Sequence, residues 1–431
     1  MENKVLPKVL SISLSTWNRK SGIHTQTDLF KYWQSDRVAQ IYLKSDKPDT
    51  DVCNKFFQIS ENEIIHSVMN RRVVGIETFN CENVDTKAIE EEKRLYTRAH
   101  KKKSWFLTLM REIVWDLGRW KSDNLKQFVE NFNADVYFVP IYPVIYTAKI
   151  QRYILKKWPK PYVCYLADDN YSYDSCGNNI FAYIHRYFLR KQVKFLAKNC
   201  DEMFTITKME AEETDQLFGT NSVILTKGLD YSNKTYIPFK AHNPVKMVYT
   251  GNLHIGRDSS LVKISNAMKI INKDDTKVTF DIYSPTQLSE DTMHILNSNG
   301  CKFCGCVSKE KVEEIQSNAD IVVFVESLEK KFKNIARMSF STKLTDYFYS
   351  GKCIFAIGDE NIAPINYLLE NDAAVVAKKD EEILQELSDL INSEDKILNY
   401  SKKSYECGLK NHNEIDVKKR FIDTMCRAIN H

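Results

Sequence analysis

The chain has 431 residues, with 61 Lys and Arg against 57 Asp and Glu, a formal net charge of +4. Hydrophobic residues at 43% and charged residues at 27% are ordinary for a soluble globular protein, and at roughly 100–200 residues per domain the length predicts two or three domains. Thirteen Gly and ten Pro exclude a collagen or a linker-rich chain, and so small a charge excess, with no basic module, argues against nucleic acid as a partner.

No stretch approaches ~18 consecutive apolar residues, so no spanning helix is expected. The start, MENKVLPKVLSISLSTW, lacks an apolar core and a small-residue cleavage site. The expectation is a cytoplasmic protein. Eleven cysteines fit reduced core thiols there. Cys301, Cys304 and Cys306 cluster, but no fourth ligand lies nearby, so no metal site is read.

In chain order, short apolar runs alternate with helical patterns. The first series is KVLSISLS near the start, then 135–142, 162–167, 201–207 and 222–227. The second is 245–251, 278–284, 319–327, 352–358 and 373–378. These runs are rich in Val, Ile, Tyr and Phe without strict alternation, as parallel strands buried on both faces are. Amphipathic helices are predicted between them, over 259–273 and 309–319 among others. The pattern predicts an α/β protein with two Rossmann-like, doubly wound parallel sheets. The expected boundaries are a first domain over 1–228 with a helical insertion at about 85–130, and a linker over 229–244. A second domain over 245–400 follows, and then C-terminal helices over 401–431 that could return to the first domain.

Residues 94–121 depart from the alternation, being basic with three tryptophans. Trp and Leu on one helical face with Lys and Arg on the other suit an anionic membrane interface. The plainer reading, preferred because apolar stripes usually mean core, is a helix packed on its own domain.

Four segments carry candidate chemistry. In VKMVYTGNLHIGRDSSL (245–261) a strand ends, Gly251 and Asn252 follow, and a helix begins near Ser259. Amides at such a junction bind an anion, and the fork of Arg257 fits a phosphate. In SFSTKLTDYFYSGKCIFAIG (339–358), Ser341 and Thr342 look like N-cap residues, Lys343 adds charge, and Asp346 stands one turn on, where it could accept from ribose hydroxyls. Two anion-ready turns on one sheet suggest a diphosphate. Near the N-terminus, Gly22 opens a loop that holds His24. After the strand at 162–167, Asp168 and Asp169 are placed for a base or for sugar hydroxyls, or serve as turn residues.

Together and in this order these segments resemble a retaining glycosyltransferase of the GT-B fold, two Rossmann-like domains facing each other across a cleft. They are similar to the family 4 (glycosyltransferase group 1) bacterial polysaccharide enzymes. The resemblance is strongest from Val245 to Gly358 and weak over about 45–130. It implies that Arg257 and Lys343 grip the donor diphosphate and that Asp346, five residues before Gly351, binds the ribose. It also implies that the Gly22 loop lies near the transferred sugar. The family often has an acidic residue eight positions before the ribose carboxylate. That position is Met338 here, with Glu326 as a substitute. The implied activity is transfer of a sugar from a nucleotide-diphosphate sugar, a substrate with no separate cofactor and no metal, to an acceptor hydroxyl. The acceptor class is a glycan or a lipid-linked glycan, with the protein peripheral on the inner face of the membrane. Two alternatives stay open: a nucleotide-sugar 2-epimerase-like isomerase on the same scaffold, and a non-catalytic partner that keeps the fold.

Overall fold

A computed structural model describes residues 5–18, 24–70, 74–78, 105–176 and 179–430. The chain divides into two compact units, one of residues 1–225 with 418–431 and one of residues 226–417.

The first unit is built on an eight-stranded sheet. Its strands are β1 (Val9–Ser13), β2 (Val38–Tyr42), β3 (Lys55–Gln58), β4 (Ile76–Thr78), β5 (Val136–Ile141), β6 (Tyr162–Leu166), β7 (Glu202–Thr205) and β8 (Ser222–Ile224). Their order is β4-β3-β2-β1-β5-β6-β7-β8, and every pairing is parallel except β3 with β4. β1, β2, β5 and β6 are buried along their whole length, which is why their sequences read as continuous apolar runs. Among the described residues, seven helices of this unit precede residue 226. They are α1 (His24–Phe30), α2 (Glu61–Asn70), α3 (Trp105–Leu117), α4 (Asp123–Phe132), α5 (Ile145–Lys157), α6 (Ile180–Lys198) and α7 (Lys208–Phe218).

Strands β2 and β3 lie outside the runs read from the sequence. The pattern of β2 is interrupted by Gln40, which is nonetheless fully buried. Its side chain accepts from Thr16 Oγ1 (3.1 Å) and the Trp17 amide (3.2 Å) and donates to the Ser15 carbonyl (3.3 Å). A polar residue satisfied in this way breaks an apolar run without breaking the strand.

The second unit has a six-stranded parallel sheet. It comprises β9 (Val245–Thr250), β10 (Val278–Tyr283), β11 (Cys301–Gly305), β12 (Ile321–Val325), β13 (Cys353–Ile357) and β14 (Val375–Ala377), in the order β11-β10-β9-β12-β13-β14. Its helices include α8 (Arg257–Ile271), α9 (Glu290–Ile295), α10 (Lys309–Ser317), α11 (Lys330–Ala336), α12 (Thr342–Ser350), α13 (Ala363–Glu370), α14 (Glu382–Ile391) and α15 (Glu394–Asn411). The strands expected from the second series are all present, shortened at the ends. Residues 229–244 are packed within this unit rather than free: Tyr231 is buried against Tyr349 and Tyr405. The last helix, α16 (Glu414–Arg427), places Phe421 among Phe30, Trp33, Phe138 and Phe204 of the first unit.

Of the basic tryptophan segment, residues 94–104 lie outside the described residues. In the rest, Trp115 and Trp120 are core, with Trp115 stacked on Tyr146 at 4.2 Å. No described helix is long and apolar enough to cross a membrane. The cysteine cluster divides: Cys301 is buried beside Met268, with its thiol pushed up to about 11 by burial, and Cys306 is exposed.

Candidate functional site

Strand β9 lies between β10 and β12. The chain leaves β9 toward β10 and comes back as β12 on its other side, so the strand order reverses between β9 and β12. In open parallel sheets the strand C-termini beside such a reversal are the ligand crevice. Three segments meet there: the turn after β9, the end of β12 and the first turn of α12.

The turn after β9 begins at Gly251, with φ +145°. A Cβ built on it would run into the ammonium group of Lys343. Only glycine lets a lysine from α12 lie directly over this turn. Gly256, at φ +73°, is the N-cap position of α8 and fits under Phe332 and Ser327. Arg257 is therefore the first residue of α8, two positions earlier than the helix expected from Ser259.

Arg257 is held on three sides. Its Nη2 and Nε donate to the two carboxylate oxygens of Glu326 at 2.8 and 3.1 Å, and Nη1 donates to Asn252 Oδ1 at 3.0 Å. Glu326 is 3% exposed and its carbonyl accepts from Ser260 Oγ at 2.9 Å. Burial opposes the charge on Arg257, but the paired carboxylate outweighs it and raises the guanidinium pKa. A guanidinium has five N–H donors. Three are engaged, so two remain for a ligand, already aimed by the carboxylate fork.

Lys343 donates to Tyr249 Oη at 3.2 Å, and Tyr249 Oη donates to the Asn252 carbonyl at 2.6 Å. Tyr249 is buried, which raises its pKa and keeps it a phenol. The Lys343 pKa is lowered to about 8, first by burial and then by Arg257, with Glu326 acting the other way. The two cations thus share one electrostatic site, and an arriving anion relieves their repulsion. Ser341 stands at the N-cap of α12, but its side chain makes no capping hydrogen bond. The expected cap is a cap by position alone. Thr342 begins the helix and its carbonyl accepts from Thr345 Oγ1. Asp346, one turn further, accepts from Lys227 Nζ at 2.7 Å and is partly exposed. Met338, where an acidic residue was expected, is buried at 2% exposure.

In the first unit, Asp168 and Asp169 follow β6 and behave differently. Asp168 has φ +78°, an uncommon conformation for a residue with a side chain. Asp169 is a turn residue: its carboxylate accepts from the amides of Ser172 (2.8 Å) and Tyr171 (3.3 Å) and from Ser172 Oγ. Near them Glu210 is buried, with one oxygen accepting from the Ile206 amide and the other unpartnered among the described residues. Burial first, with Asp168 and Asp169 adding to it, raises its pKa well above the carboxylate range. Gly22 lies outside the described residues. His24 opens α1, and its side chain lies outside what is described.

No protein-family model and no curated protein matches the sequence. Solved structures match in fold. Anabaena HepE, solved in complex with UDP, covers 97% of this chain and 99% of its own, at 10% identity and a TM-score of 0.60. An α,α-trehalose-phosphate synthase (UDP-forming) from Burkholderia vietnamiensis covers 98% and 99%, at 11% identity and a TM-score of 0.55. The fold is GT-B. S. aureus TarM is a partial likeness: the match spans 69% of this chain and 55% of that one, at 10% identity and a TM-score of 0.48.

Two members of this GT-B site went unread in the sequence. Tyr249 lies next to the end of an apolar strand, where a tyrosine reads as core. Lys227 ends the run SVILTK and carried no motif; its partner Asp346 is 119 positions away. A tyrosine two residues before the glycine of the turn was the one available signal.

Proposed function

We propose that the chain is a glycosyltransferase that moves a sugar from a nucleotide-diphosphate sugar to an acceptor hydroxyl, with retention and without metal. The observation that carries this reading is the convergence of Arg257 and Lys343 on the Gly251 turn, at the strand-order reversal of a GT-B fold. As the diphosphate leaves, negative charge grows on its oxygens. The two open N–H groups of Arg257, the Lys343 ammonium and the first-turn amides of α8 and α12 offset it. Glu326 does not touch the donor in this scheme; it aims the guanidinium. Asp346 receives the ribose hydroxyls, with Lys227 holding its other side. Asp168 is the acceptor-side carboxylate, and Asp169 sets the turn. The acceptor is a glycan or a lipid-linked glycan, and the protein works in the cytoplasm, peripheral on the inner face of the membrane.

HepE has been solved with UDP and with UDP-glucose, so uridine nucleotides come first in the test. A thermal-shift panel of nucleotides and nucleotide sugars should show stabilisation by at least one diphosphate. Arg257→Ala should abolish that shift. If no nucleoside diphosphate stabilises the protein, the reading fails. The anomeric configuration of the transferred sugar by NMR decides retention. The buried Met338 favours a second reading, a nucleotide-binding partner without turnover. Binding with no transfer to any acceptor would establish it.

A further inference from the structure

Among the described residues twenty-two large apolar side chains are exposed, and ten of them lie on α3 and α6. The four exposed Phe and Tyr residues, Phe181, Tyr183, Tyr187 and Phe188, are all on α6. On α3, Leu107, Met110, Ile113 and Leu117 form one stripe at intervals of three and four residues. The two helices are locked together from beneath. Glu112 of α3 is buried, receives the Ile145 and Tyr146 amides at 3.0 and 2.8 Å, and meets His185 of α6 at 3.3 Å. The carboxylate thus caps α5 in place of Val144, whose side chain cannot. The exposed stripes are therefore held side by side on a rigid base.

The charge beside these stripes is mostly positive, with Asp116 and Asp123 as acids among the cations. The outer face of α6 is apolar over its first turns and then carries Lys191 and Lys194, both exposed. Beside it lies a cavity of about 970 Å³ lined by Arg119, Lys121, Lys149, Arg152 and Lys156, with Asp116 and Asp123 as its acids. Lys149 is neutralised by Asp116 at 2.6 Å. Arg152 and Lys156 stack over Phe195 of α6 at 4.4 and 5.4 Å, so the cavity rim continues into the helix face. Leu117 of the α3 stripe is next in sequence to Asp116 on the rim.

We infer that the α3–α6 face with its cationic cavity is a docking surface for an anionic phospholipid membrane. Aromatic and aliphatic side chains enter the headgroup boundary, and the lysines and arginines meet lipid phosphates. An apolar face bordered by an excess of cations, on helices too polar to span, suits the plane of a membrane surface. The cavity cations offer charge-assisted donors to a headgroup phosphate. The inference goes beyond sugar transfer and deepens the peripheral location proposed above. It places the contact on α6 as well as α3, and not on buried Trp115 and Trp120.

The test is flotation of the full chain with vesicles of phosphatidylcholine and phosphatidylglycerol (three to one) and with phosphatidylcholine alone. The protein should float with the anionic vesicles, float poorly with the neutral ones, and be released by salt. Ile184→Glu with Phe188→Glu, and separately Lys191→Glu with Lys194→Glu, should each lower vesicle partitioning by about tenfold or more, at roughly fivefold per charge. Melting temperature and nucleotide shift, read without lipid, should stay unchanged. Arg152→Glu tests the cavity in the same assay. Absence of flotation, equal binding to neutral vesicles, or variants that bind like wild type would overturn the inference. So would a dimer in solution that the Ile184→Glu and Phe188→Glu pair dissociates, since a second copy would then cover the face. Nucleotide binding is scored separately, so failure of one reading leaves the other visible.

Discussion

The two carboxylate-bearing strand ends of this molecule make an instructive pair. At the end of β12, Glu326 is buried and ion-paired, and both of its oxygens are spent on Arg257. Beside the end of β6, Glu210 is equally buried but has no ion pair among the described residues, and its pKa is raised instead. A buried carboxylate either finds a counter-charge or gives up its charge. The first solution stores an aimed guanidinium for an anion. The second sets a buried carboxyl, its pKa raised, beside Asp168 and Asp169.

The largest test of this contrast is Arg257→Ala. Turnover should fall by about 2–4 kcal/mol in barrier, the size seen when a donor to developing charge is lost. The same change strands Glu326, and stability should drop by roughly 3 kcal/mol, as when one partner of a buried pair is removed. Adding Glu326→Leu should restore the melting temperature while turnover stays low. Recovery of turnover in the double variant would show that the arginine only balances the glutamate.

Gly251→Ala comes next. The strained φ costs about 1–3 kcal/mol, and the new methyl displaces Lys343. Melting temperature and nucleotide affinity should fall together. A normal affinity would mean that Lys343 does not serve from its position over the turn.

Asp346→Ala should weaken nucleotide binding about tenfold, near 1.4 kcal/mol. Unfolding should change by no more than about 0.5 kcal/mol, since the side chain is partly exposed. Titration calorimetry and thermal melting separate these quantities, and an unchanged nucleotide affinity would remove Asp346 from the site.

The smallest effect is in pH. The free Lys343 ammonium loses its proton near pH 8, while a bound diphosphate favours the charged form. The bound pKa must therefore lie higher, and binding takes up a proton around pH 8. Affinity is greatest below pH 8 and falls as pH rises above it. Calorimetry in buffers of different ionisation enthalpy should show proton uptake for wild type, and Lys343→Arg should abolish it. Proton release in wild type would contradict the assignment.

Much of the second unit could be read from the chain. Strands β12 and β13 are buried along their whole length, so their apolar runs are unbroken, and Gly251, Arg257, Lys343 and Asp346 sit in short local patterns at element junctions. The first unit was less legible. Gln40 interrupts β2 because a buried hydrogen-bonded amide looks, in sequence, like a surface residue. For Trp115 and Trp120 an interfacial reading stood beside the preferred one, a helix packed on its own domain, because composition does not tell which helical face turns inward. Asp168 and Asp169 are adjacent and alike as letters, and only the turn geometry separates them.

The sequence by itself determined the alternation of strands and helices, and with it two doubly wound sheets. It also placed a glycine and a cation at one strand-to-helix junction, Gly251 with Arg257, and a cation in the first turn of a second helix, Lys343, because backbone conformation and dipole act over a few neighbouring residues. Only the tertiary structure decided that Glu326 aims Arg257 across 69 positions and that Lys343 lies over Gly251 and against Tyr249, 94 positions away. Those partnerships follow from strand order. The reversal between β9 and β12 brings remote strand ends side by side, and electrostatic and hydrogen-bond energies depend on distance in space rather than along the chain.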